Sequence, residues 1–160
     1  MELVDAIRTL AEELNLPDGI DADEDGVYTV VFDGELAVEI LPWTGGDFLL
    51  RSPLAAIPSG DADKEKTMVQ RVLQFSLARL RGRRSSIALD TVSNRFIISR
   101  ILPHSEMRPY EFTAAVEDFI SDLEMWQTFL ESGAATSASG GTYNSSPSSG
   151  GTMPMMIIMP

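Results

Sequence analysis

Apolar positions near the start of the chain recur at helical spacing. Leu3, Ile7, Leu10 and Leu14, with Ala6 and Ala11 beside them, predict an amphipathic helix over residues 2–15. Glu2 and Asp5 fall in its first turn, where the helix dipole favours negative charge, and Pro17 and Gly19 mark its end. The period then changes. Val27 to Phe32 is β-branched and aromatic, Asp33-Gly34 follows, and Leu36 to Leu41 returns. The dipeptide suits a tight hairpin turn whose central residues both need positive φ. Pro42 and Gly45-Gly46 break the pair, and Phe48 to Arg51 predicts a third short strand before Pro53, Pro58 and Gly60 punctuate a loop. A second helix, capped by Asp61 or Asp63, is expected to reach about Arg81. Its apolar set is Met68, Val69, Val72, Leu73, Phe75, Leu77 and Leu80, a stripe wide enough to cover a sheet and also meet a second surface. Ile87 to Leu89 and Arg95 to Leu102 predict two further strands around a turn at Ser93-Asn94. Pro109 suits the first position of a third helix. Phe112, Val116, Phe119, Leu123, Trp126 and Leu130 form its stripe, and Gly133 is its expected stop.

The expected strands are apolar on both faces. Tyr28, Val30 and Phe32 alternate with Val27 and Val31; Leu36, Val38 and Ile40 with Ala37 and Leu41; Phe96, Ile98 and Leu102 with Ile97 and Ile101. A sheet with helices on one side only ordinarily shows polar residues on the other. Either helices cover both faces or a partner covers one, and the pattern leaves both options open. In the second case the uncovered face is a binding surface.

Composition adds boundaries. At 160 residues, with 44% hydrophobic and 22% charged, the chain suits a single domain with a real core. From Ser132 to Thr152 the residues are mostly Ser, Gly, Ala and Thr, too little apolar surface to order themselves. The last eight, Met153-Pro154-Met155-Met156-Ile157-Ile158-Met159-Pro160, are apolar. They are suited to an apolar groove on this chain or another, although such ends more often lack order. The expected division is a folded domain over 1–131 and a tail over 132–160.

The net charge is −12, which disfavours nucleic acid and anionic membranes as partners. It is unevenly spread. Residues 1–65 hold 16 acids and 3 bases (−13), residues 66–108 hold 9 bases and 2 acids (+7), and residues 109–160 hold 6 acids (−6). Cysteine is absent, so there is no disulfide, thiolate zinc site or thiol nucleophile. The first residues lack the basic and apolar regions of a secretory signal, and no run approaches the ~18 apolar residues of a membrane span. A protein of the cytoplasm is expected.

Candidate chemistry is thin. Asp21-Ala22-Asp23-Glu24-Asp25-Gly26 matches the first half of a calcium loop, but Phe32 stands where the bidentate Glu is required, so a solvated acidic loop is expected and no metal. His104 and Glu106 lie at a strand-to-helix turn without convergent partners. Arg79-Leu80-Arg81-Gly82-Arg83-Arg84 is the sharpest basic cluster, yet two of its arginines suit a helix C-terminus and no aromatic interleaves with it for base stacking. No phosphate loop, Gly-x-Ser-x-Gly or metal-spaced histidine pair occurs.

The order of helix, three strands, helix, two strands, helix resembles the class I chaperones of bacterial type III secretion, the Tir-chaperone or CesT-like family. The likeness is carried by the Leu3–Leu14 helix, the Val27–Leu41 hairpin and the segment Phe48-Leu49-Leu50-Arg51-Ser52-Pro53-Leu54-Ala55-Ala56-Ile57-Pro58. The middle helix with Val72-Leu73-Gln74-Phe75 and the Phe112–Leu130 helix add to it. The resemblance implies an α+β fold, an antiparallel sheet packed by helices, in a homodimer without cofactor or catalytic residues. It implies partners: the N-terminal segments of effector proteins, held in extended form by strand addition and side-chain pockets. It places effector binding at Leu3, Ile7, Leu36, Val38, Ile40 and Leu49, and the dimer contact at Val69, Val72, Leu73, Phe75 and Leu77. Acidity and the tail are also similar to the HpaB-like export-control chaperones, which implies contact with the secretion ATPase and the export gate. Two rivals stand beside it: an interaction module of the same fold with one fixed regulatory partner, and an enzyme built on scattered carboxylates.

Overall fold

The computed structural model describes residues 2–16, 19–79, 84–103 and 107–138, with side chains described as far as Ser132. Among the described residues, three α-helices and five strands follow in the expected order: α1 (Leu3–Glu13), β1 (Tyr28–Phe32), β2 (Leu36–Pro42), β3 (Phe48–Ala56), α2 (Ala62–Arg79), β4 (Ser86–Asp90), β5 (Arg95–Leu102) and α3 (Pro109–Ala138), with a short 3-10 turn at Thr44–Gly46. The strands form one antiparallel sheet in the order β1-β2-β3-β5-β4.

Local chemistry explains the boundaries. At the end of α1, Asn15 takes a left-handed φ of 53°. The Asn15 N–H donates to Glu12 O at 3.1 Å and the Leu16 N–H to Ala11 O at 3.0 Å, the pair of bonds that satisfies the last carbonyls of a helix. The stop is therefore made two residues before Pro17, which lies outside the described residues. Asp33 and Gly34 have φ of 51° and 77°, as the hairpin turn requires. Asp61, and not Asp63, caps α2: its Oδ1 accepts the Lys64 N–H at 3.1 Å. Arg108 precedes α3, and its N–H donates to Glu111 Oε2 at 2.7 Å, half of a capping box. Gly133 does not stop α3, which continues to Ala138.

β3 is longer than expected and runs through Pro53. A proline in a central strand costs a ladder bond. Here the ladder with β2 ends at Arg51, and the Ser52 hydroxyl donates to Ala37 O at 2.7 Å in its place. Beyond that point β3 pairs with β5, with a register shift between Pro53 and Ala56, so the missing N–H is tolerated.

The core lies on one face of the sheet. α3 crosses β2, β3 and β5, and α1 packs beside it. Ala6, Ile7, Leu10 and Ala11 of α1 and Phe112, Val116, Phe119, Leu123 and Trp126 of α3 are buried against Val30, Leu36, Val38, Ile40, Phe48, Leu50, Phe96, Ile98 and Leu102. Phe48 meets Phe112 edge to face with ring centroids 5.8 Å apart. Each such large side chain taken from water contributes about 2–3 kcal/mol. α2 is anchored mainly through Val72, which is buried, and through Phe75, which stacks on Phe129 at 4.0 Å and meets Trp126 edge to face at 4.9 Å.

This packing corrects the expected effector-binding set. Ile7, Leu36, Val38 and Ile40 are at most 6% exposed, because the helices sit on the face to which these residues point. They build the core and offer no side-chain surface. Val72 and Phe75, expected at a dimer contact, likewise face the interior of their own chain.

Candidate functional site

Strand alternation puts the opposite set of side chains on the other face, where no described helix lies. The paired register gives three rows across it. Leu41, Leu49 and Ile101 form an apolar row. Thr29, Glu39, Arg51, Ser99 and Ser86 form a polar one. Val31 with Ala37, and Pro53 with Ile97 and Ala88, form a second apolar row. Val31 and Ile101 are more than half exposed, and Leu41, Ala37, Pro53 and Ile97 are half-buried. In the middle row the Arg51 guanidinium donates to the Glu39 carboxylate, so the two charges neutralise each other and leave a nearly uncharged surface. Two apolar strips flanking a paired, polar centre suit an extended chain with alternating side chains.

The edge of the sheet beside this face is open too. β1 ends the strand order, and among the described residues its outer side carries one isolated bridge, Ala22 to Tyr28. The acidic loop makes that bridge. Asp23 Oδ1 accepts the Asp25 and Val27 N–H groups, each at 2.9 Å, so the carboxylate at the third position of the calcium pattern holds a turn. Thr29 to Phe32 retain an unpaired edge, the template that strand addition uses. Among the described residues no group of three or more His, Asp or Glu side chains is placed to hold a metal ion.

A second exposed patch lies on α2. Leu73 and Leu77, one turn apart, are 62% and 70% exposed, with Val69 half-buried on the turn before them. Their neighbours Val72 and Phe75 point the other way, into the chain. The expected stripe is thus divided, one side holding α2 to α3 and the other facing out.

Carboxylates meet at one concavity, a cleft of about 350 Å³ between the end of β5 and the start of α3, lined by Arg84, Arg100, Tyr110, Glu111 and Asp118 among others. Glu111 is engaged in capping α3. Asp118 is 75% exposed and 3.9 Å from Arg100. Arg100 itself is buried; its Nη1 donates to Ala115 O at 3.3 Å, and burial lowers its pKa below the ordinary guanidinium value while Asp118 opposes the shift. The two acids are thus a helix cap and a solvated ion partner, without the shared dry site that acid–base chemistry needs.

Of the expected site residues, Leu49 belongs to the outer face by register but is only 9% exposed, and Leu3 is half-buried on α1. Val31, Ala37, Leu41, Ile97 and Ile101, outside the expected set, are the apolar side chains that the outer face presents. One signal would have separated the two faces: Glu39, Arg51 and Ser99 alternate onto the second, marking it as the face toward water. His104, Glu106 and Leu80 to Arg83 lie outside the described residues.

Residues 5–127 match the family model described as Tir chaperone protein (CesT) family. The fold is similar to the SchA chaperone–effector complex with HopA1 (TM-score 0.62, 13% identity, 78% of this chain and 92% of that one). It is similar to the ExsC–ExsE complex (0.63, 18%, 81% and 97%). It is also similar to the Yersinia pestis type III secretion chaperone SycH in complex with a stable fragment of YscM2 (0.56, 16%, 76% and 97%). No curated protein sequence matches the chain.

Proposed function

The chain belongs to the Tir chaperone protein (CesT) family, and from that premise we propose that it is a type III secretion chaperone. It binds N-terminal segments of effector proteins in extended form, keeps them soluble and competent for secretion, and delivers them to the export apparatus from the cytoplasm. No turnover is involved. The observation that carries this reading is the outer face of the sheet, uncovered among the described residues, with Val31, Leu41, Ile97 and Ile101 beside the unpaired edge of β1. A client strand on that edge gains main-chain hydrogen bonds, and its alternate side chains reach the apolar rows. Each buried aliphatic side chain contributes about 1.5–3 kcal/mol, and several together offset the ordering of an extended segment. Among the described residues no helix is long and apolar enough to cross a membrane. Self-association is assigned to the outward side of α2, where Leu73 and Leu77 would otherwise stay in water.

The test is calorimetric titration of the folded protein with N-terminal segments of effectors from its own cells, against the Ile101→Asp variant. The expected outcome is binding by several unrelated segments, at least tenfold weaker in the variant, with unchanged circular dichroism. A single partner that is retained in the cell would favour a regulatory module instead. Full binding by the variant would move the site off the outer face.

A further inference from the structure

The last charged residue of the sequence is Glu131; residues 132–160 carry no Asp, Glu, Lys or Arg in a chain of net charge −12. Four of the eight methionines stand in the final eight residues, with Ile157 and Ile158 between them. Unbranched thioether side chains adapt to irregular apolar surfaces and bind without strict shape demands. Pro154 and Pro160 lack a backbone donor, whereas Met155 to Met159 form five consecutive residues that can each give an N–H to a sheet edge. This segment therefore has the chemistry of a chaperone client: apolar, uncharged, and able to be held in extended form.

Reach is sufficient. The described part of α3 ends at Ala138, and fourteen residues, 139–152, separate it from Met153. Fully extended, that stretch spans up to ~46–50 Å. A domain of this size has a radius of gyration of about 14 Å, so most of the surface of its own domain is within range. The attachment also sets a local concentration on the order of millimolar, so even a weakly binding tail competes with a client in solution. An uncharged tail is not repelled by the acidic domain, as an acidic one would be.

We infer that residues 153–160 occupy the outer sheet face and β1 edge of their own chain as an internal client, which an effector segment must displace. This rests on the proposed function for the identity of the competitor, but the docking itself is independent of it. It protects Val31, Leu41 and Ile101 from water while no client is bound, and it sets a threshold that weak, non-specific peptides fail to pass.

The experiment compares methyl resonances of Val31, Leu41 and Ile101 in the full chain with those in a full-length Ile157→Asp/Ile158→Asp variant. The expected result is a shift of all three between the proteins, unchanged on dilution, with Val38 and Ile98 methyls unmoved. Identical outer-face spectra would overturn the inference. A shift that disappears on dilution would overturn it as well, by placing the tail on a second copy. Effector segments should bind the variant roughly fivefold tighter or more; equal affinity with the shift present would overturn the competition. Failure of every effector segment to bind either protein would reject the chaperone reading while the methyl shifts still decide whether the tail docks.

Discussion

Val38 and Ile101 are similar side chains with opposite roles. Val38 on β2 is fully buried beneath the helices, and Ile101 on β5 is 51% exposed on the other face. A charge at Val38 has no partner and no water, so Val38→Asp is expected to destabilise the domain by about 3 kcal/mol or more, seen as loss of the folded circular-dichroism signal at a lower denaturant concentration. Ile101→Asp should leave that midpoint nearly unchanged. Asp90 makes a different point. Its Oδ1 accepts the Val92 N–H at 2.9 Å and its Oδ2 the Ser93 hydroxyl at 2.5 Å, and these bonds, the Ser93 one foremost, hold its pKa below the ordinary 3.8. A carboxyl with a lowered folded-state pKa stabilises the fold above its unfolded value and loses that contribution as pH falls through the folded one. The stability gap between the wild type and Asp90→Ala should therefore be present at neutral pH and narrow in acid below 3.8, measured by urea unfolding across pH.

Among the elements, periodicity located all three helices and five strands, and β5 matches its expected span end to end. It failed at ends governed by specific bonds. Asn15 stops α1 because it adopts a left-handed φ, while proline and glycine downstream were the more visible signals. β3 outruns Pro53 because pairing with β2 has already ceased, a fact of register that no single strand reveals. α2 is the element whose faces were least separable, since Val69, Val72, Leu73, Phe75 and Leu77 are all apolar. Only packing shows that Val72 and Phe75 serve the chain itself and that Leu73 and Leu77 do not. Replacing the latter two with Asp is expected to convert a dimer into a folded monomer in analytical ultracentrifugation. An unchanged oligomeric state would place self-association elsewhere.

For the whole molecule, the decisive feature is asymmetry. Among the described residues α3 and α1 pack on one face of the sheet and α2 joins the same core through Val72, so the domain buries a full core and leaves an apolar face and a strand edge open. Such a surface is costly in a protein that works alone, because it invites aggregation. The neutralised Glu39–Arg51 pair, the net charge of −12 and the proposed internal client each restrain it. Raising ionic strength screens the charge, so a client held mainly by apolar burial is expected to bind with little salt dependence, checked by titration at low and high salt.

The order of elements, the turn at Asp33-Gly34, the stripe of α3 and the likeness to secretion chaperones were all legible in the sequence. Each of these depends on neighbours within a few residues or on overall composition. The sequence also recorded that both sheet faces are apolar. Tertiary structure alone decided which of them is core, because strand alternation defines two faces without saying on which the helices settle. That choice put Leu36, Val38 and Ile40 in the interior and left Val31, Leu41, Ile97 and Ile101 on the outer face, where the proposed binding surface lies.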